Sequence, residues 1–281
     1  MQLDLWKSMV FKSSRKKLFA IGCSYTEKWN EWQPWPEVLA DKLDMECVNM
    51  GLCGAGNDEM VAKVLEIYLT KKHSEIGLVV VMWSEWQRLS FQRNDLNWDD
   101  WHHVHPHRAS MTQYIREEER IDLFNIMNPC SATRDTIRNF VYADFFLKDI
   151  PYLFVQGCDG IFYYNVETGK TFKQDHTFSA IESAFIKSNL DFYKINDSRE
   201  KTVDVMIKNP YMEYVEKNIG KKFIGWPVLR EIGGYSMDDV LNKHDPTRLK
   251  LRISKSDSHP NEDGHKFMAD LIYDEYRKIY L

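Results

Sequence analysis

The stretch KLFAIGCSYT, residues 17–26, decides how this chain reads. Its first half is a short apolar run closed by Gly22, and CSYTEKW (23–29) has no strand alternation, so the stretch reads as a buried strand handing Ser24 to a loop at its carboxyl end. Outward from there, PWPEVLADKL (34–43) has helical spacing behind prolines suited to a first turn, and MECVNMG (45–51) is a second short strand closed by glycine. The three segments make a β-α-β unit. EMVAKVLEIYLTKK (59–72) then places Met60, Val61, Val64, Leu65 and Leu69 on one helical face behind Asn57 or Asp58 as N-cap, and IGLVVVMW (76–83) is a continuous β-branched run of the kind covered on both faces. Two such units in succession predict an α/β chain built on a doubly wound, mostly parallel sheet with right-handed crossovers.

Beyond residue 90 the regular pattern dissolves into polar and aromatic residues up to about 130, which reads as an insertion or lid. A helix capped by Ser131 and running to about Lys148 comes next, then a fourth strand in PYLFVQG (151–157). The segment 160–250 is a second insertion region, with a hairpin expected in IFYYNVETGKTFK (161–173). At the end, DSHPN (257–261) leads into a helix opened by Asn261, with Phe267, Leu271, Ile272, Tyr276 and Ile279 as its apolar stripe. The expected organisation is one domain over residues 1–281, with insertions at 90–130 and 160–250.

The 281 residues are 43% hydrophobic and carry a net charge of −5, enough apolar material for one large core and no basic excess for nucleic acid or an anionic membrane. Five cysteines in no metal-like spacing read as reduced thiols. Neither a signal-peptide pattern nor a run of about 20 apolar residues is visible, so a cytoplasmic setting is expected, that of a host cell or a virion included. The nine tryptophans read as core and loop packing, with a sugar-stacking or acyl-binding surface as the sharper alternative.

A serine hydroxyl needs an imidazole within hydrogen-bond reach and a carboxylate to orient that imidazole. Ser24, His259 and Asp257 supply the three types, and ligands of open α/β sheets bind beyond the carboxyl ends of the strands, where Ser24 and the glycine loop 51–56 fall. With these residues in view, GCSYT resembles the GDS block of the SGNH (GDSL-like) hydrolases, NMGLCG (49–54) is similar to their second block, and DSHPN to their closing block; GCS for GDS resembles the SGNH-like proteins of bacteriophages. The resemblance implies a three-layer flavodoxin-like fold and hydrolysis of acyl or acetyl esters on glycans or lipids, without metal or organic cofactor. It also implies the Ser24 and Gly54 amides as oxyanion donors.

Three departures stand out. Cys23 replaces the GDS aspartate and reads as a small buried hydrophobe. The family's acid position, three before the histidine, is Ser256, leaving Asp257 in a D-x-H arrangement. WSEWQR (83–88) lacks the family's third-block asparagine, so Ser84, Gln87 or Asn57 is the expected substitute donor, Asn57 being equally a helix N-cap. These departures keep two rivals open, a catalytically silent glycan-binding or structural phage component and acyl transfer to a glycan. His102, His103, His105 and His107 are the only histidine cluster and read as a lid loop rather than a metal site. His265 reads as a helix-surface residue, and His244 with Asp245 as a turn before Pro246.

Overall fold

The computed structural model describes residues 15–92, 101–105, 129–158, 160, 164–165, 170–171 and 198–281. Five parallel strands form the central sheet: β1 (Lys17–Gly22), β2 (Glu46–Asn49), β3 (Ile76–Trp83), β6 (Tyr152–Gln156) and β9 (Phe223–Ile224), in the order β2-β1-β3-β6-β9. Counting only these five strands, the order is 2-1-3-4-5, the flavodoxin-like arrangement. Every residue of β3 and β6 is buried, which is why their sequences run apolar without alternation. Phe19 of β1 lies opposite Val79 of β3, Val79 opposite Tyr152 of β6, and Phe154 opposite Phe223 of β9.

Helices cover both faces. Helix α1 (Trp35–Lys42) packs on the C-terminal helix α7 (Glu262–Tyr280), and α2 (Asn57–Thr70) packs on α3 (Pro129–Leu147). The chain leaves β1 in one direction for β2 and returns past it to β3, so right-handed crossovers put α1 and α2 on opposite faces. That reversal is a topological switch point between β1 and β3, and it opens a crevice above their carboxyl ends. Phe140 of α3 seats against Trp83 with ring centroids 5.0 Å apart, closing the α2–α3 face over the sheet. The remaining described helices are α4 (Ser198–Ile207), α5 (Met212–Asn218) and α6 (Met237–His244).

Several sequence expectations shift in detail. Helix α3 starts at Pro129, before Ser131. The N-cap of α2 is Gly56, because the two expected caps are used elsewhere: Asn57 binds the Ser84 backbone and Asp58 accepts from the Ser90 amide. In the 90–130 region β4 (Leu89–Gln92) pairs antiparallel with β5 (Trp101–Val104), and β4 lies on α2. The hairpin expected within 161–173 forms from β7 (Tyr164–Asn165) and β8 (Lys170–Thr171). Asn261 caps α7 by accepting from the Gly264 amide at 3.0 Å. The buried face of α7 runs through His265, Met268, Ala269 and Ile272, leaving Phe267 and Leu271 on its flank. Among the described residues no helix is long and apolar enough to cross a membrane.

Candidate active site

Strand β1 ends on a tight turn in which the Thr26 and Glu27 amides both donate to the Cys23 carbonyl, at 2.8 and 3.1 Å. The turn closes against Gly22, where a Cβ would stand 2.1 Å from the Thr26 hydroxyl, so a larger residue has no room. Ser24 is thereby held above the end of β1. His259 comes from the other end of the chain, on a loop fixed just before α7. Its carbonyl accepts from the Ile253 amide at 2.9 Å, and Arg252 bridges to Pro260.

The two meet. His259 Nε2 lies 2.9 Å from Ser24 Oγ, and His259 Nδ1 lies 2.6 Å from Asp257 Oδ1, which also accepts from the His259 amide at 3.0 Å. An ionised carboxylate only accepts, so Nδ1 carries the proton and the Nε2 lone pair faces the serine hydroxyl. Both distances are within the range for proton transfer. Ser256, three residues before His259, points to Ser254 instead, with their hydroxyls 3.1 Å apart.

Gly54 lies in the loop beside this pair with φ at +83°, and the neighbouring Cys53 thiol lies within hydrogen-bonding reach of the Ser24 hydroxyl. Among the described residues neither the Ser24 nor the Gly54 amide donates to another protein atom, which leaves both free for a ligand oxygen. The expected side-chain donors sit differently. Ser84 is fully buried and gives its hydroxyl proton to the Ala55 carbonyl at 2.8 Å. Asn57, 3% exposed, accepts from the Ser84 amide at 2.9 Å and donates toward Thr136. These two tie the glycine loop to the end of β3. Gln87 is also buried.

A buried ion pair that the sequence reading did not single out holds the two halves of the site together. Arg252 donates to Asp238 Oδ1 and to the Tyr25 hydroxyl, each at 2.9 Å, and Tyr25 donates to Asp238 at 2.7 Å. Arg252 and Tyr25 both reach the carbonyl of Ser258, the residue before His259. Tyr25 is the next residue after Ser24, so this network fixes the Ser24 loop to the His259 loop. The Tyr25 and Trp29 rings pack edge-on against the His259 ring at 5.5 and 4.9 Å, and the Trp29 indole donates to the Ser24 carbonyl.

His265 is not on the surface as its sequence position implied. It is 2% exposed and its Nδ1 accepts from the Trp35 amide at 3.2 Å, which locks α7 to the start of α1. Burial, with a smaller contribution from the nearby His259, pushes its imidazole down to about 4, so it stays neutral. Cys23 is buried; a hydrogen bond from the Cys158 thiol and the charge of Arg88 draw its thiol below the ordinary range against the opposing effect of burial. The histidines of β5 and just after it diverge: His103 bonds Glu59, His105 lies 3.9 Å from Glu85, and His102 stacks on Phe91. His107 lies outside the described residues. Among those described, no three metal-ligating side chains converge.

No protein-family model and no curated protein matches the chain. Solved structures do. A member of the lipolytic protein G-D-S-L family from Veillonella parvula is 13% identical, covering 94% of this chain and 98% of its own at a TM-score of 0.41. An α/β hydrolase enzyme from the metagenome of Lake Arreo, Spain, is 13% identical over 95% and 97% of the two chains, at 0.42. An acetyl-xylooligosaccharide esterase variant from Geobacillus is 12% identical over 93% and 94%, at 0.37.

Proposed function

We propose that this chain is a serine hydrolase of the SGNH type that cleaves an acyl or acetyl ester of a small molecule or glycan. The observation that carries the reading is the hydrogen-bonded series Ser24–His259–Asp257, with distances of 2.9 and 2.6 Å, the first of them between residues 235 positions apart. His259 Nε2 takes the Ser24 proton as Oγ attacks the ester carbonyl, and Asp257 stabilises the imidazolium. The carbonyl oxygen becomes an oxyanion held by the Ser24 and Gly54 amides. Collapse expels the alcohol, which takes the proton from His259. Water, deprotonated by His259, then attacks the acyl-enzyme and releases the carboxylic acid with Ser24 restored. Each step uses only groups of this chain and water.

A fluorophosphonate probe tests the reading directly. The expected result is covalent labelling of the purified protein that is lost in Ser24→Ala and strongly slowed in His259→Ala. Equal labelling of the wild type and Ser24→Ala refutes it.

One observation favours a second reading, a glycan-binding component without turnover: Ser84 and Asn57 are engaged with each other, which leaves two amides as the only oxyanion donors identified among the described residues. Retention of a polysaccharide without release of acetate from any acetylated sugar decides for it.

A further inference from the structure

A second imidazole, which the mechanism leaves unused, borders the same loop. His103 of β5 lies against Gly54: a Cβ on that glycine would stand 3.2 Å from His103 Nδ1 and 3.3 Å from its Cγ. The hairpin is docked there by Ser90, which lies opposite His103, accepts from the Gly56 amide at 2.8 Å and donates to Asp58. Strand alternation then turns His102 and Val104 inward and His103 the other way.

The ring is also oriented. His103 Nε2 meets Glu59 Oε2 at 2.8 Å, and the other Glu59 oxygen binds Lys63 at 2.5 Å. The Glu59 side chain is fully buried whereas His103 keeps 17% of its exposure. Burial raises the Glu59 carboxyl, but the His103 hydrogen bond and Lys63 together outweigh it and hold the group ionised. An ionised carboxylate requires the proton on Nε2, so in the neutral ring Nδ1 is an acceptor. Among the described residues Nδ1 has no hydrogen-bond partner. Carboxylate-held imidazoles of this kind have a fixed tautomer and a fixed ring plane. Trp29, beside His259, is 46% exposed and offers an aromatic face.

We propose that His103 is a specificity residue of the site, whose Nδ1 accepts a hydrogen bond from a hydroxyl neighbouring the scissile ester, so that the substrate is an acylated polyol or saccharide. The assignment rests on the ester-hydrolase reading and deepens it. Apolar rings and a few fixed polar groups are what small-molecule sites use for orientation, and Trp29 with His103 supplies one of each.

The test compares two esters differing only in their hydroxyls: a mono-O-acetyl methyl glucoside and the same compound with its free hydroxyls methylated. In the full-length wild type the ratio of kcat/KM, hydroxylated over methylated, is expected to be well above one. In His103→Leu that ratio falls at least about tenfold, since a lost hydrogen bond at a site built for one discriminates strongly. Glu59→Gln, which keeps the ring and loosens its orientation, lowers the ratio in the same direction and carries the test if His103→Leu does not fold. A wild-type ratio near one, or an unchanged ratio in the variants, overturns the assignment while leaving the hydrolase reading intact, provided the wild type labels with fluorophosphonate. A wild type that neither labels nor hydrolyses either ester overturns both.

Discussion

Replacing Arg252 by Met isolates the interaction that joins the two ends of the chain. The Arg252 side chain is fully buried and Asp238 keeps 7% exposure, so their 2.9 Å ion pair has little water to fall back on. Methionine fills the space of the arginine stem without supplying a donor. Asp238 loses its guanidinium partner at a buried position while keeping the Tyr25 hydroxyl, and breaking a buried ion pair by removing one partner costs about 3–5 kcal/mol. Asp238→Asn alone strands the guanidinium and is expected to cost about 2–4 kcal/mol. The double variant strands neither charge, so its loss falls short of the sum by at least about 2 kcal/mol. Urea unfolding of the four proteins gives the cycle, with a common m-value as the check that only stability has changed. Ester turnover by folded Arg252→Met should fall by about 10²-fold, because the Ser258 carbonyl loses a donor and His259 drifts from Ser24. A loss below about 1 kcal/mol in Arg252→Met, or strict additivity in the double variant, would show that the pair does not hold the site.

His265 makes stability depend on pH in a definite sense. Its folded-state imidazole is pushed from 6.5 down to about 4, so the unfolded chain binds the proton more readily. The stability it contributes is therefore present above pH 6.5 and lost as pH falls toward 4, by about 3 kcal/mol in all. Urea midpoints measured between about pH 7 and pH 4 should fall less steeply in His265→Gln, and parallel profiles count against the buried neutral ring. Gly54→Ala places a Cβ on the His103 ring at a positive φ of +83°, so a stability loss of about 1–3 kcal/mol and a larger fall in kcat than in KM are expected from denaturation and steady-state kinetics. Asp257→Asn should lower kcat by about 10³–10⁴-fold through the wrong tautomer, while Ser256→Ala changes it less than about threefold. A stronger effect at Ser256 reverses the choice of orienting group.

The parts of the fold legible in the sequence are those whose signal is local. KLFAIG and IGLVVVMW are apolar without alternation because both faces of those strands are covered, and each observed strand spans the segment expected. DSHPN announces the loop before α7 through a capping asparagine that acts within three residues. His265 had a usable signal that the apolar count overlooked, since it falls at helical spacing with Met268, Ala269 and Ile272. Tyr25, Asp238 and Arg252 had none. A lone arginine between Leu251 and Ile253 looks the same whether it faces water or a carboxylate. Ser84 and Asn57 are polar residues near the right strand ends, and only packing shows that they bond each other.

By itself the sequence determined four of the five sheet strands, their winding and the positions of a serine and a histidine at strand and helix ends, because periodicity and capping act over a few residues, whereas β9 (Phe223–Ile224) is too short to show a pattern. Tertiary structure alone decided that Ser84 and Asn57 direct their polar groups to each other and to the Ala55 carbonyl, that Ser256 turns to Ser254, and that His103 lies over Gly54. The physical reason is that desolvation and hydrogen-bond geometry depend on neighbours supplied by distant segments, and here those segments come from opposite ends of the chain.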